Sequence, residues 1–359
     1  MSKARELAEL GAVYDSGALS NRNLLINGAM QVNQRGTQTV NASATTGYGP
    51  DRFRLNAGGG IDEFVGTIAQ DSDVPSGSGF SNSLKITTTT AENAISAGEY
   101  IYLHQTIEAQ NLQQLAYGTS SAKKVTLSFW VKSTITGTFA VGLYKPDSTS
   151  QIHNKTYTIN SASTWEYKTI TYEANTLSGG AIANDNGAGI EVAWHLAVGS
   201  TYKGTDTSSG WANYAAATWG TGQGTDAVIT TTNATFQITG VQLELGTEAT
   251  PFEHRSFGQE LALCQRYYQD NDASTMGIGS AYAANAWNYK RVIQFGIMRA
   301  TPSVAYDNGT AGTWQSGSSD YGVGPKTSAF SHLYSKSSGA ILDIYIGTGG
   351  IQFRLDAEL

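Results

Sequence analysis

Two kinds of side chain in this sequence are placed to do chemistry: scattered histidines with a set of acids, and aromatic rings in polar, glycine-rich stretches. The histidines are His104, His153, His195, His254 and His332. None stands at a metal spacing such as His-Glu-x-x-His. There is no Gly-x-Ser-x-Gly elbow and no phosphate loop. His195 alternates with Trp194 in a strand pattern and reads as a surface or hydrogen-bonded histidine, not a ligand. Glycoside hydrolysis needs two carboxylates about 5–10 Å apart. Asp51, Glu63, Asp185 and Asp226 offer candidates, but with 29 acidic residues in the chain nothing in their spacing selects a pair. The sequence therefore predicts no catalytic residue, no metal ligand set and no cofactor, and it reads as a non-enzyme.

The aromatic residues say more. Between Trp194 and Trp219, Tyr202, Trp211 and Tyr214 stand among Gly, Ser, Thr and Asn. A strand core does not need rings there. A sugar presents a flat C–H face that stacks on an aromatic ring, and hydroxyls for the polar groups around it. Trp211, Tyr214 and Trp219 are therefore candidate glycan- or receptor-binding residues. The same rings could instead fold back to anchor a long loop, or pack between chains. Near the C-terminus, the stretch from Asp307 to Lys326 has the polar composition of a recognition loop. It supplies Trp314 and Tyr321 as further candidates, with Trp287 and Tyr334 open to the same two readings.

The elements that must position these rings are strands. Val125, Leu127, Phe129 and Val131 alternate with Thr126, Ser128 and Trp130, the period of a half-buried strand. Phe139, Val141 and Leu143 follow a turn at Thr136-Gly137, and Trp165, Tyr167 and Thr169 repeat the pattern. Ile190, Val192, Trp194, Leu196 and Val198 form the cleanest strand. Phe236 and Ile238 change phase to Val241, Leu243 and Leu245 across Gly240, which predicts a bulge. Many short strands at such spacing predict a sandwich or jelly roll over residues 21–256. A second, smaller β-sandwich is expected over residues 271–359, with strands at Trp287 to Ile297, Ile341 to Ile346 and Ile351 to Leu355.

A change of period separates the two. After Gly246 and Pro251, Phe257, Leu261, Cys264 and Tyr268 recur at steps of four, three and four, one stripe of a helix over residues 257–270. Ser256 and Gln259 are spaced as a capping box. The stripe also fits heptad spacing, so it serves either as a helix packed on its own domain or as a contact between chains. Residues 1–20 suggest one short charged helix and a flexible exit, with too little apolar area to be ordered without a partner.

Composition narrows the class. Forty-one glycines, six prolines and 14% charged residues do not fit disorder. The net charge of −7 comes without a basic cluster, so nucleic acid and anionic membrane are poor partners. One cysteine forms no internal disulfide, and no apolar run approaches the roughly 20 residues of a membrane span. Residues 271–359 balance their charges, Lys290, Arg291, Arg299, Lys326, Lys336 and Arg354 against Asp272, Asp307, Asp320, Asp343, Asp356 and Glu358, so long-range steering is not expected there.

Two long blocks carry a family resemblance. One runs from Arg22 to Gly36 (Arg-Asn-Leu-Leu-Ile-Asn-Gly-Ala-Met-Gln-Val-Asn-Gln-Arg-Gly) and continues at Tyr48-Gly49-Pro50-Asp51-Arg52-Phe53. The other runs from Gly240 to Gly246, then Ala249 to Ser256 and Glu260 to Tyr268. A short third piece is Met298 to Val304. Together they resemble bacteriophage tail-fibre and related virion proteins. The resemblance implies a homotrimer joined at the helix stripe, attachment to another virion protein through residues 1–20, and a host surface glycan as ligand. It leaves open a purely structural head or tail fibre and a polysaccharide depolymerase. The closest architecture is the jelly roll of carbohydrate-binding modules, which implies that the first strand, Leu24 to Gly28, lies beside the last, Val241 to Leu245. A structural calcium ion often lies near that pair, but Ala29 and Met30 stand where its acidic ligand is common, so none is expected.

Overall fold

The computed structural model describes residues 3, 21–225, 227–272, 287–294, 298–300, 303–308, 321–327, 330–336 and 351–359. The chain divides into two compact units, one ending at Glu260 and the other running from Leu261 to Glu358.

The first unit is an antiparallel β-sandwich. Its strands are β1 (Gln38–Asn41), β2 (Thr46–Tyr48), β3 (Arg54–Gly58), β4 (Val65–Asp71), β5 (Ser83–Thr90), β6 (Tyr100–Glu108) and β7 (Val125–Ser133). They continue with β8 (Gly137–Lys145), β9 (Gln151–Ile159), β10 (Glu166–Tyr172), β11 (Ala188–Val198), β12 (Ala212–Asn213) and β13 (Thr235–Leu245). Six form a back sheet in the order β1-β4-β5-β13-β7-β10, and seven form a front sheet in the order β12-β9-β8-β11-β6-β3-β2. The expected all-β jelly-roll sandwich is therefore what the chain builds.

The core between the sheets follows from the alternation. Leu127, Phe129 and Val131 of β7 are buried, as are Val192, Trp194 and Leu196 of β11. Phe129 meets Trp194 edge to face across the sheets, ring centroids 5.7 Å apart. The predicted bulge is present: the pairing of β13 with β7 slips between Thr239 and Gln242. Gly240 sits there at φ +60°, where a Cβ would lie 2.5 Å from the Phe80 ring.

The two long motif blocks, distant in sequence, form one hydrogen-bonded unit. Leu24 N–H donates to Leu243 O at 2.9 Å, and Val241 N–H donates to Gly28 O at 2.9 Å. Gly28 is required, because a Cβ would fall 2.1 Å from Val241 O. The two stretches are neighbours as the resemblance implied, but residues 24–28 are not a regular strand. Asn23 takes the place of a ladder: its Nδ2 donates to Val241 O at 2.9 Å and its Oδ1 accepts from Leu243 N–H at 3.1 Å. Asn27 then turns the chain at φ +61°.

Charged groups lock this joint from the other side. Glu253 accepts from Asn21 N–H at 2.5 Å and from Asn23 N–H at 2.8 Å. Arg255 donates to Asn23 O at 2.5 Å and to Leu25 O at 3.1 Å. Glu260 accepts from Asn27 N–H at 2.5 Å. The Arg255 guanidinium also lies 3.4 Å from Glu253 and 3.5 Å from Glu260. The motif residues thus tie the start of the sandwich to its end.

Helix α1 (Phe257–Gln265) opens with the predicted capping box, Ser256 N–H to Gln259 Oε1 at 3.0 Å and Gln259 N–H to Ser256 Oγ at 3.3 Å. It is shorter than expected. Tyr268 is not on the helix but begins β14 (Tyr268–Asp272). The second unit continues with β15 (Trp287–Gln294), β16 (Ser303–Asn308), β17 (Tyr321–Thr327), β18 (Phe330–Lys336) and β19 (Ile351–Asp356). These form two three-stranded antiparallel sheets, β14-β19-β16 and β15-β18-β17. The strand expected at Ile341 to Ile346 lies outside the described residues. No helix among the described residues is long and apolar enough to cross a membrane.

Candidate functional site

Alternation in three front-sheet strands builds a cleft on the face turned away from the core. Ile101 and Leu103 of β6 point inward and are buried, so Tyr100, Tyr102 and His104 occupy the outer face. Val192 and Trp194 of β11 point inward, so Glu191, Ala193 and His195 face outward with them. Leu143 of β8 points inward, leaving Gly142 and Tyr144 outside. The register sets Tyr102 opposite His195, and Glu191 opposite Tyr144.

The long segment between β11 and β13 folds over this face. Its anchor is Trp219, packed on Ala193 and Ile152 and only 7% exposed. Four rings meet Trp219 edge-on: Tyr102 at 5.0 Å, His195 at 5.2 Å, Tyr144 at 5.5 Å and Tyr214 at 6.0 Å. Its backbone is held on both sides. Thr218 O accepts from Asn154 Nδ2 at 2.6 Å, and Gly220 N–H donates to Tyr202 O at 2.8 Å. Tyr202 in turn stands edge-on to Tyr100 at 5.2 Å, and Tyr214 to Tyr144 at 5.1 Å.

The result is a cleft of about 230 Å³ lined by Tyr100, Tyr102, Tyr144, Glu191, Tyr202, Tyr214 and Trp219. Tyr214 is its most open ring, at 38% exposure. Three phenols are held protonated: burial pushes Tyr100 and Tyr214 up, and burial with the nearby Glu191 carboxylate does so for Tyr102. The Tyr102 hydroxyl accepts from Asn56 Nδ2 at 2.9 Å. Glu191 Oε2 lies 3.0 Å from His104 Nδ1, while its Oε1 is buried with no hydrogen-bond partner among the described residues.

This arrangement offers rings for stacking and neutral hydroxyls that donate and accept. Among the described residues it holds a single carboxylate, where most glycoside hydrolysis uses two. Of the acids weighed in the sequence, Asp51, Glu63 and Asp185 do not line the cleft. Asp51 is buried and accepts from Gln34 N–H at 2.8 Å; burial pushes its pKa up. Glu63 accepts from Asn93 N–H, Asp185 accepts from Gly187 N–H, and Asp226 is outside the described residues.

The candidate residues separate. Tyr214 and Trp219 come together in the cleft, Trp219 as its floor. Trp211 does not join them. It is 8% exposed in the main core, edge-on to Tyr117 at 5.5 Å, and its Nε1 donates to Glu173 O at 2.8 Å. It anchors the loop. Tyr321 begins a strand and is not in a loop, and Trp314 lies outside the described residues. Of the helix stripe, Phe257 is 57% exposed, Leu261 is half-buried, and Cys264 and Tyr268 are already buried within the single chain. Those last two therefore lack the exposed surface that a contact between chains needs. His195 is fully buried beneath Trp219 and not on the surface; burial pushes its pKa down to about 4.

Sequence reasoning missed Tyr100, Tyr102, Tyr144 and Glu191. The period-two run Tyr100-Ile101-Tyr102-Leu103-His104 was the available signal. Among the described residues, one group of acids has the geometry for a metal: Asp62, Glu92 and Glu99, with ligand oxygens within 4.8 Å of one another. Glu92 already accepts from Phe64 N–H at 3.0 Å and Glu99 from Ser96 N–H at 2.7 Å.

No protein-family model matches the sequence, and no curated protein does. Solved structures similar to it include the enzymatically active domain of a bacteriophage CBA120 tailspike protein, at 15% identity and a TM-score of 0.33. That match covers 62% of this chain and 21% of the tailspike chain, so the chain spans about a fifth of that protein. The family 11 carbohydrate-binding module of a cellulosomal cellulase of Clostridium thermocellum is 12% identical, with a TM-score of 0.28 over 55% of this chain and 90% of the module. A xylan-binding domain from Paenibacillus barcinonensis is 10% identical, with a TM-score of 0.26 over 63% of this chain and 96% of the domain.

Proposed function

We propose that this chain is a glycan-binding virion protein, a bacteriophage tail fibre or adhesin whose front-sheet cleft takes a sugar chain from the host surface. The observation that carries the reading is the convergence of Tyr100, Tyr102, Tyr144, Tyr202, Tyr214 and Trp219 on one cleft. Amphipathic rings with neutral hydroxyls match a sugar's C–H faces and hydroxyls. In this reading the site binds a sugar and does not cleave it.

In the same proposal the chain is a homotrimer, attached to another virion protein through residues 1–20. Phe257, a large apolar ring left 57% exposed at the start of α1, supports a contact between chains, with Leu261 beside it on the stripe. Light scattering on the full chain is expected to give about three times 38.1 kDa. A stable monomer removes the trimer.

The functional test is a glycan array probed with the full protein, with Tyr100→Ala/Tyr214→Ala, and with Trp314→Ala. Binding lost in the cleft variant alone is the expected result. Binding lost only with Trp314→Ala moves the site to the second unit, and no binding at all favours a structural fibre.

A further inference from the structure

Resting on the reading of the cleft as a glycan site, we infer that it selects by charge. It takes uncharged or amine-bearing sugars and excludes acidic ones, namely uronates, sialates, and phosphorylated or sulfated units. Among the described residues, the lining contains one carboxylate, Glu191, and no lysine or arginine. The guanidinium of Arg54 belongs to the same sheet, paired with His104 in register, but it sits 5.8 Å from the Tyr48 ring and does not line the cleft. The phenols of Tyr100, Tyr102 and Tyr214 are held in their neutral form by burial. An acidic sugar would therefore meet the Glu191 carboxylate with no lysine or arginine in the lining to receive it, the charge of Arg54 reaching Tyr102 only from outside the lining.

The same carboxylate is only partly offset from within the chain. Glu191 Oε1 is buried without a hydrogen-bond partner among the described residues. Its charge therefore acts on the cleft through space, favouring a cationic amine and opposing a second carboxylate. The net charge of −7 acts in the same direction at longer range. Size adds a second restriction. At about 230 Å³, the cleft is smaller than the roughly 300–1,000 Å³ of sites that engulf a drug-sized ligand. It would therefore grip a short part of a glycan and leave the rest outside, so selection falls on the units in contact.

The test uses the full protein on an array of oligosaccharides that includes neutral, free-amine and acidic members of matched backbone. Wild type is expected to bind neutral or amine-bearing members at least about tenfold better than their acidic counterparts. Glu191→Gln, which keeps the shape and removes the charge, is expected to shrink that ratio to within about threefold. If Glu191→Gln fails to fold, salt serves instead: screening should raise wild-type binding of acidic members and leave neutral ones unchanged. Equal binding of acidic and neutral members, lost in Tyr100→Ala/Tyr214→Ala, overturns the charge selection and keeps the cleft. Binding that ignores the tyrosine substitutions overturns the cleft itself, and the selection with it.

Discussion

Replacing Arg255 with alanine is expected to loosen the joint between the two ends of the sandwich. The side chain is 12% exposed and donates to two backbone carbonyls, Asn23 O at 2.5 Å and Leu25 O at 3.1 Å. It also lies within 3.5 Å of Glu253 and Glu260. Hydrogen bonds that involve a charged group contribute about 1.5–3 kcal/mol each. Removing one partner of a buried ion pair costs about 3–5 kcal/mol. The two figures describe overlapping interactions, so the expected loss is about 3–5 kcal/mol in total. For a unit of this size, about 2–4 °C of melting temperature accompanies each kcal/mol, giving a fall of about 6–20 °C. Arg255→Lys keeps the charge but not the planar fork, so it should fall between the two. Because a general loss of stability would look similar, the deciding assay is hydrogen exchange read by mass spectrometry. Amides of residues 21–28 should exchange faster in Arg255→Ala before the strands of the front sheet do. A melting change of less than 2 °C, with unchanged exchange over residues 21–28, would refute the reasoning.

Other substitutions separate structure from binding. Trp219→Ala and Trp211→Ala should each cost about 3–5 kcal/mol, the usual loss for a buried tryptophan, but only Trp219→Ala should abolish glycan binding; equal effects on binding would dissolve the distinction between floor and anchor. Gly28→Ala places a Cβ 2.1 Å from Val241 O, so it should destabilise the sandwich more than Gly210→Ala, where nothing lies within 4 Å; a melt of each variant decides. Stability should also fall with acid. Burial holds His153 and His195 near a pKa of about 4 against an ordinary 6.5, so the unfolded chain binds protons first as pH drops. Stability present above 6.5 is then lost between 6.5 and about 4, on the order of 3 kcal/mol per histidine. Urea unfolding at pH 7 and pH 4.5 that shows a gain on acidification would contradict this.

Much of the sandwich was legible because alternation reports which side of a strand is buried. Val125 to Val131 and Ile190 to Val198 lie in long strands with those apolar residues inward. The Gly240 bulge and the Ser256–Gln259 cap were legible because each depends on local chemistry. Leu24 to Gly28 misled, since an apolar run reads as a strand while the Asn23 side chain takes over the backbone partners. Tyr268 misled because a residue three or four places past a helix stripe keeps its phase whether or not the helix continues. The cleft was half legible. Tyr214 and Trp219 drew notice as rings in a polar loop, but nothing local told Trp219 from Trp211. That difference is tertiary: one lies over Ala193 on the outer face, and the other enters the main core. Tyr100, Tyr102 and Tyr144 were overlooked because a strand was read as support, although the outward side of a strand is a surface.

On the proposed function, a sugar binds on the tyrosine-lined face of the front sheet. The most direct measurement is a crystal structure of the full chain with the best oligosaccharide from the array. The expected result places a sugar ring against Tyr100, Tyr202 or Tyr214, with a hydroxyl or amine donor directed at Glu191. A sugar bound only in the second unit, or on the outer face of the back sheet, would contradict the account.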